Sequence, residues 1–274
     1  MIKKIAVVLP AYNSGTMLDR QINSILMQED ISVDIYIMDD GSTDQTKTKI
    51  DEFDQKYKNI HIVESKRNHS KASQSFFFLL IELYDVLKNF DFVALSDHDD
   101  IWLPGKLKNS INVLDSCNAS CYSSDFLSVK YDSKLGLSAP HFSNKSGKQT
   151  CYDHFFEGPG PGCTFVLKNS FYVEFINFIS KDDRPKLLDN LHAHDWFIYM
   201  YAKENYHKWV IDNSYHMLYI QHEFNETGVN IGLQAYKKRL KLLFSGWYLF
   251  QVRSMINIIS PASSVAFKLN RMSI

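Results

Sequence analysis

Short apolar runs alternate with helix-like spacing over the first hundred residues, and that alternation leaves few architectures open. Ile5-Ala6-Val7-Val8-Leu9 is rich in β-branched residues, five residues long and closed by Pro10, which reads as a buried strand. Leu18, Ile22, Ile25 and Leu26 then recur at helical spacing. Residues 33–38 give a second strand, 61–63 a third, 76–87 a helix and 92–95 a fourth strand. Ser42-Thr43-Asp44-Gln45 has the spacing of a capping box before the intervening helix. Strand, helix and strand in this order build an α/β fold: a mainly parallel sheet flanked by helices on both faces.

Ligands in open sheets of this kind bind beyond the carboxyl ends of the strands. Those ends are Pro10-Ala11-Tyr12-Asn13, Asp39-Asp40-Gly41-Ser42 and Ser96-Asp97-His98-Asp99-Asp100, so three polar clusters converge on one edge. Asp97, Asp99 and Asp100 repel one another, and folding them together calls for a counter-charge. Hard carboxylate oxygens beside waters and phosphates suit Mg2+ or Mn2+; a plain solvated acidic turn is the alternative. Asp39 or Asp40 can accept a hydrogen bond from a ribose or a base edge. The same Asp, Gly and Ser are expected of a strand-to-helix turn, and both roles can hold together. The chain has neither a GxGxxG nor a Walker sequence. No Gly-rich loop therefore cradles a phosphate, and a diphosphate here needs a cation.

Beyond Pro104 the pattern loosens. A helix runs from 104 to about 115, and residues 123–152 read as a polar, loop-bearing insertion without clear period. Glu157-Gly158-Pro159-Gly160-Pro161-Gly162 is a stiff loop with few side chains. A strand at 163–167 follows, then helices at 171–179 and 195–206, and short strands near Trp209 and at 217–220. Residues 233–250 alternate basic and apolar side chains at helical spacing.

The formal net charge of −1 excludes a generally basic nucleic-acid binder but hides an asymmetry. Past Glu226 there is no acidic residue, while Lys237, Lys238, Arg239, Lys241, Arg253, Lys268 and Arg271 supply seven positive charges. The first 226 residues hold 23 basic and 31 acidic side chains. A basic tail on an acidic body points to an anionic partner surface; a packed helix with a solvated basic side fits equally. The apolar run near Met1 is too short for a signal peptide, and no stretch approaches the roughly 18 apolar residues of a spanning helix. A cytoplasmic setting follows, with the four cysteines reduced and Cys117-x-x-x-Cys121 too sparse for a zinc site.

Leu9-Pro10-Ala11-Tyr12-Asn13, Met38-Asp39-Asp40-Gly41-Ser42-Thr43-Asp44 and Leu95-Ser96-Asp97-His98-Asp99-Asp100-Ile101-Trp102-Leu103-Pro104 together resemble glycosyltransferase family 2. The likeness is closest to rhamnosyltransferase-like bacterial members that build polysaccharides, and it is strongest over residues 4–108. It implies the GT-A fold and inverting transfer from a nucleotide sugar, with Mn2+ or Mg2+ as cofactor. It implies one catalytic domain over 1–232, with a donor half at 1–108, a less regular acceptor half at 109–232, and a basic helical tail at 233–274. Pro10, Ala11, Tyr12 and Asn13 would line the base pocket, with Asp40 reading the base and Asp39 beside it. Asp97 would face the ribose, with His98 next to it, and Asp99 the metal on the diphosphate. Arg67 sits where relatives touch the donor, in Arg67-Asn68-His69-Ser70, with Ser70 in place of the family's glycine. His222 resembles a late histidine that completes the metal site. Asp195, in His194-Asp195-Trp196, resembles the family's acceptor-side acid and is expected to be the base; an N-cap aspartate is the plain alternative. Gly160, Gly162, His194 and Trp196 are the expected acceptor contacts. The implied acceptor is a lipid-linked glycan reached at the inner face of the plasma membrane. A nucleotidyltransferase and an inactive nucleotide-sugar-binding module are the competing readings.

Overall fold

The computed structural model describes residues 2–65, 71–132, 136–147, 149–222, 241–242 and 244–271. The strands are β1 (Lys4–Ala11), β2 (Ser32–Asp39), β3 (Ile60–Ile62), β4 (Phe92–Leu95), β5 (Ile101–Trp102), β6 (Cys121–Ser124), β7 (Phe126–Asp132), β8 (Gly136–Leu137), β9 (His141–Ser143), β10 (Val166–Lys168), β11 (Trp209–Asp212) and β12 (Met217–Gln221). The helices between them are α1 (Leu18–Leu26), α2 (Thr46–Lys56), α3 (Ala72–Glu82), α4 (Tyr84–Leu87), α5 (Lys106–Ser116), α6 (Asn169–Ile179), α7 (Arg184–Leu188) and α8 (His194–Glu204).

A seven-stranded sheet in the order β11-β6-β10-β4-β1-β2-β3 forms the centre. β1 runs parallel to β2 and β4, and β2 parallel to β3, whereas β10 is antiparallel to both of its neighbours. The middle strands are buried on both faces, which is why they read as unbroken apolar runs. Ala6 and Val8 of β1 point into one core, shared with α3, α6 and α8. Ile5, Val7 and Leu9 point into the other, shared with α1, α2 and α5.

A second sheet places β12 between β5 and β7, with β8 and β9 also paired to β7. Residues 123–152 are therefore not a plain insertion: they supply most of this sheet. Its β12 ladder joins Leu218 to both Ile101 and Leu127, bringing the late strand beside the acidic turn. Residues 163–167 also differ from expectation, since Gly162–Thr164 is a 3-10 turn and the strand starts at Val166. The helix expected at 76–87 begins earlier, at Ala72, and breaks at Leu83. α2 is held at its start by Asp44, whose Oδ1 accepts the Thr46 N–H at 2.9 Å, not by Ser42.

The C-terminal helices Trp247–Ile259 and Ser264–Arg271 are packed elements. Val252, Met255 and Ile256 enter the core beside α8. Gln251 accepts the His192 N–H through Oε1 at 3.0 Å and donates to the Asn190 carbonyl at 3.3 Å. Phe244, 85% exposed, and the exposed Phe250, Phe267, Lys241, Lys268 and Arg271 remain at the surface. No helix among the described residues is long and apolar enough to cross a membrane.

Candidate active site

The ends of β1 and β2 are latched into one rim. Asn13 takes a left-handed conformation, φ 46°, which asparagine tolerates better than most residues. Its N–H donates to Ser42 Oγ at 2.9 Å, and its Oδ1 accepts the Thr43 N–H at 2.9 Å. Asp44 reaches back to the Gly15 N–H at 3.0 Å. Asp40 donates its N–H to the Ala11 carbonyl at 2.9 Å and is buried, its Oδ2 accepting from Ser75 Oγ at 2.6 Å. Asp39 Oδ1 accepts the Ser42 N–H at 3.2 Å. Tyr12 stands exposed beside this rim. His98 Nδ1 lies 3.3 Å from the Pro10 carbonyl, tying the rim to the acidic turn. Pro10, Ala11, Asn13, Asp39, Asp40 and His98 are thus brought together; Arg67 lies outside the described residues.

Within the acidic turn the carboxylates differ. Asp99 Oδ2 lies 2.8 Å from His222 Nε2, with both side chains 11% exposed. Burial alone would raise the Asp99 pKa. The His222 hydrogen bond and the nearby His98 instead hold it below the usual carboxylate range. Asp97 is partly exposed. Asp100 is fully buried, and its Oδ1 accepts the Ile220 N–H at 3.1 Å. Burial, then the neighbouring Asp99 and Asp97, push its pKa well up.

Two groupings here offer ligands. Asp97, Asp100 and Cys163 place one ligand atom each within 4.8 Å of one another. This set mixes two hard carboxylates with a soft thiol, a donor combination less suited to Mg2+ or Mn2+ than oxygens and imidazole. Asp99 and His222 fit better. Their ligand atoms already face each other, Asp99 is held ionised, and a carboxylate–imidazole pair suits a divalent cation.

On the other side, residues 158–162 lie against the start of α8. A Cβ on Gly162 would sit 2.4 Å from His194 Nε2, and one on Gly158 3.5 Å from the Trp196 Cα. His194 stacks on Phe76 at 4.1 Å, and burial lowers its pKa. Trp196 is 5% exposed and donates its indole N–H to the His154 carbonyl at 2.7 Å. Gly162, His194 and Trp196 are thus packed together at the start of α8, His194 Nε2 being buried without a hydrogen-bond partner among the described residues. Gly160 differs: its φ of 129° is what demands glycine, and an added Cβ would meet only ordinary contacts. Asp195 is part-exposed in the first turn of α8, its Oδ1 on the Trp196 N–H at 2.7 Å. It is not the N-cap, which is Ala193, and among the described residues it forms no ion pair. The other carboxylates that could serve as base are Glu157, which pairs with Lys145 at 2.9 Å, Asp153, which pairs with Lys203 at 3.4 Å, and Asp189.

Sequence reasoning missed Ser75 under Asp40, and it missed Lys106. It also missed Asp125, a buried side chain that accepts the Ser146 N–H at 2.6 Å and holds the chain beside the second sheet.

With this geometry in place, the comparisons decide the family. A family model described as Glycosyl transferase family 2 matches residues 6–171. The chain belongs to glycosyl transferase family 2. Along its sequence this family 2 glycosyltransferase is 36% identical over 264 residues to the dTDP-rhamnosyl transferase RfbG of Shigella flexneri, covering 96% of this chain and 88% of that one. A glucosyltransferase of Escherichia coli, WfgD, is 25% identical over 65% of this chain and 66% of its own. The fold matches S. aureus TarS in its UDP complex with a TM-score of 0.58 at 15% identity, spanning 97% of this chain and 69% of that one. It matches the mannosyltransferase PcManGT of Pyrobaculum calidifontis, solved with GDP-Man and Mn2+, with a TM-score of 0.55 at 12% identity, spanning 100% and 77%. These neighbours establish a GT-A glycosyltransferase fold.

Proposed function

We propose that this glycosyltransferase moves rhamnose from dTDP-rhamnose to a hydroxyl of a growing cell-surface glycan, with inversion at the anomeric carbon. The observation that carries this is Asp99 facing His222 at 2.8 Å, where the ends of β1, β2 and β4 meet. The RfbG likeness over 96% of the chain supports the choice of donor. Asp40, Asp39 and the rim from Pro10 to Asn13 bind the base and ribose, with Asp97 on the ribose. Asp99 and His222 would hold Mn2+ or Mg2+, which when bound neutralises the diphosphate charge. Asp195 accepts the proton of the attacking hydroxyl. One C–O bond forms at C1 as the bond from C1 to the diphosphate oxygen breaks, and dTDP leaves. Gly160 lies on the acceptor side. Release of dTDP from dTDP-rhamnose in the presence of Mn2+ tests this reading, and a donor left intact would refute it.

The acceptor is proposed to be lipid-linked and met at an anionic leaflet on the cytoplasmic side, through the basic, aromatic C-terminal surface. Each basic group near such a surface contributes about 1 kcal/mol. Changing the exposed Lys241→Gln, Lys268→Gln and Arg271→Gln together should cut low-salt binding to phosphatidylserine vesicles about a hundredfold. Co-sedimentation equal to the parent's would exclude this surface. Deleting the whole tail is not the equivalent test, because Met255 and Ile256 belong to the core.

A further inference from the structure

The loop at 157–162 runs between the two halves of the proposed chemistry. At one end Gly158 lies against Trp196, whose backbone N–H meets Asp195 Oδ1 at 2.7 Å. Just past the other end, Cys163 Sγ lies within 4.8 Å of a carboxylate oxygen from each of Asp97 and Asp100. An acceptor sugar that meets both Asp195 and the donor therefore lies along this loop.

Asp125 follows β6. Because β10 is antiparallel to both β4 and β6, β6 runs parallel to β4 and delivers Asp125 to the same sheet edge as the acidic turn. The side chain is 1% exposed. Its Oδ1 accepts the backbone N–H groups of Lys145 and Ser146, the second at 2.6 Å, and its Oδ2 accepts the Ser146 hydroxyl. A carboxylate is costly to bury unless its oxygens are satisfied. Here three donors from two consecutive residues satisfy it, and in doing so fix the backbone at 145–146. Ser123, two residues earlier, donates its hydroxyl to the Pro159 carbonyl at 3.0 Å, so the end of β6 holds both this segment and the 157–162 loop.

The Lys145 stem then crosses Gly160, where an added Cβ would sit 3.8 Å from Lys145 Cγ. Its Nζ meets Glu157 Oε2 at 2.9 Å, with Lys145 35% and Glu157 67% exposed. An exposed ion pair of this kind contributes little to stability, yet a buried carboxylate sets its place. Together the pair offers ammonium donors and carboxylate acceptors at the surface, and a sugar hydroxyl can both donate and accept.

We propose that the Lys145–Glu157 pair, held in place by Asp125, binds the hydroxyls of the acceptor sugar. This rests on the reading of the chain as a rhamnosyltransferase with Asp195 as base. Lys145 and Glu157 touch the acceptor; Asp125 acts through them and is a positioning residue.

The test uses the full chain with dTDP-rhamnose and Mn2+, and the octyl glycosides of rhamnose, glucose and N-acetylglucosamine as acceptor probes. Rhamnosyl transfer and dTDP release are followed together. Lys145→Met and Glu157→Gln should each raise KM for the best probe about tenfold, as loss of a charged hydrogen-bond partner does, with kcat within about threefold of the parent's. Asp125→Ala should raise KM about as much. Adding Lys145→Met to it should cost no more than about threefold further, because both losses run through one contact. Parental KM in Lys145→Met and Glu157→Gln would overturn the site. A collapse of kcat at unchanged KM in Glu157→Gln would also overturn it and make Glu157 the base. Losses in Asp125→Ala and Lys145→Met that add in full would overturn the positioning role. If Asp125→Ala does not fold, Asp125→Asn, which keeps an oxygen for the Ser146 N–H, is judged by the same additivity. A parent that releases dTDP but transfers to none of the probes overturns the site alone. A parent that leaves dTDP-rhamnose intact sinks the rhamnosyltransferase reading and the site with it.

Discussion

Asp195→Asn should keep donor binding and lose transfer, with kcat falling by about 10²–10⁴-fold. A sugar hydroxyl is a weak nucleophile until its proton is drawn off, and asparagine cannot take that proton. Because the base acts on the reacting hydroxyl, the loss should fall on kcat with little change in KM. The competing explanation, a carboxylate placed only to favour a helix start, predicts much less. A charge in the first turn contributes about 0.3–1 kcal/mol to stability and nothing to turnover. Ala193 occupies the cap position and, among the described residues, Asp195 bonds only within its own turn, so the substitution leaves the fold intact. Transfer rates with saturating acceptor separate the two explanations. Near-parental turnover would move the base to Glu157, Asp153 or Asp189.

Asp99→Asn should remove Mn2+-dependent nucleotide binding while the protein keeps its fold. The carboxamide can still bond His222, so the local contact survives while the charge a hard cation needs is lost. The expected drop in Mn2+-dependent dTDP affinity is at least about a hundredfold, beyond the range seen when only an orienting residue is changed. Calorimetry with and without Mn2+ measures it. His222→Ala should move the same quantity in the same direction, and parental affinity in Asp99→Asn would remove Asp99 from the cation site.

What the sequence displays well is what local pattern dictates. β1, β2 and β4 are buried on both faces, so their apolar runs are continuous, and the polar clusters at their ends fall where the sheet puts ligands. Elements stabilised by distant partners are harder to read. β7 looks like loop because Ser128 and Lys130 interrupt its apolar residues, and its ladder to β12 joins Leu127 to Leu218, far along the chain. His222 reaches Asp99 through that same long-range pairing. Trp196 and His194 lie in a helix buried on nearly every side; such a helix has no periodicity to separate core from site. Lys106, in Pro104-Gly105-Lys106-Leu107, looks like any solvated lysine at a helix start. Only its burial against the Trp102 ring reveals otherwise.

The central claim is that the acidic turn and His222 serve a nucleotide-sugar donor through a divalent cation. Donor hydrolysis without acceptor tests it most directly, with dTDP-rhamnose, UDP-glucose and UDP-N-acetylglucosamine each incubated with the protein, with Mn2+ or with EDTA, and the free nucleotide counted. The account predicts dTDP release from dTDP-rhamnose in Mn2+, little release from the UDP sugars, and none in EDTA or with Asp99→Asn. Release that persists in EDTA, or is undiminished in Asp99→Asn, would contradict it.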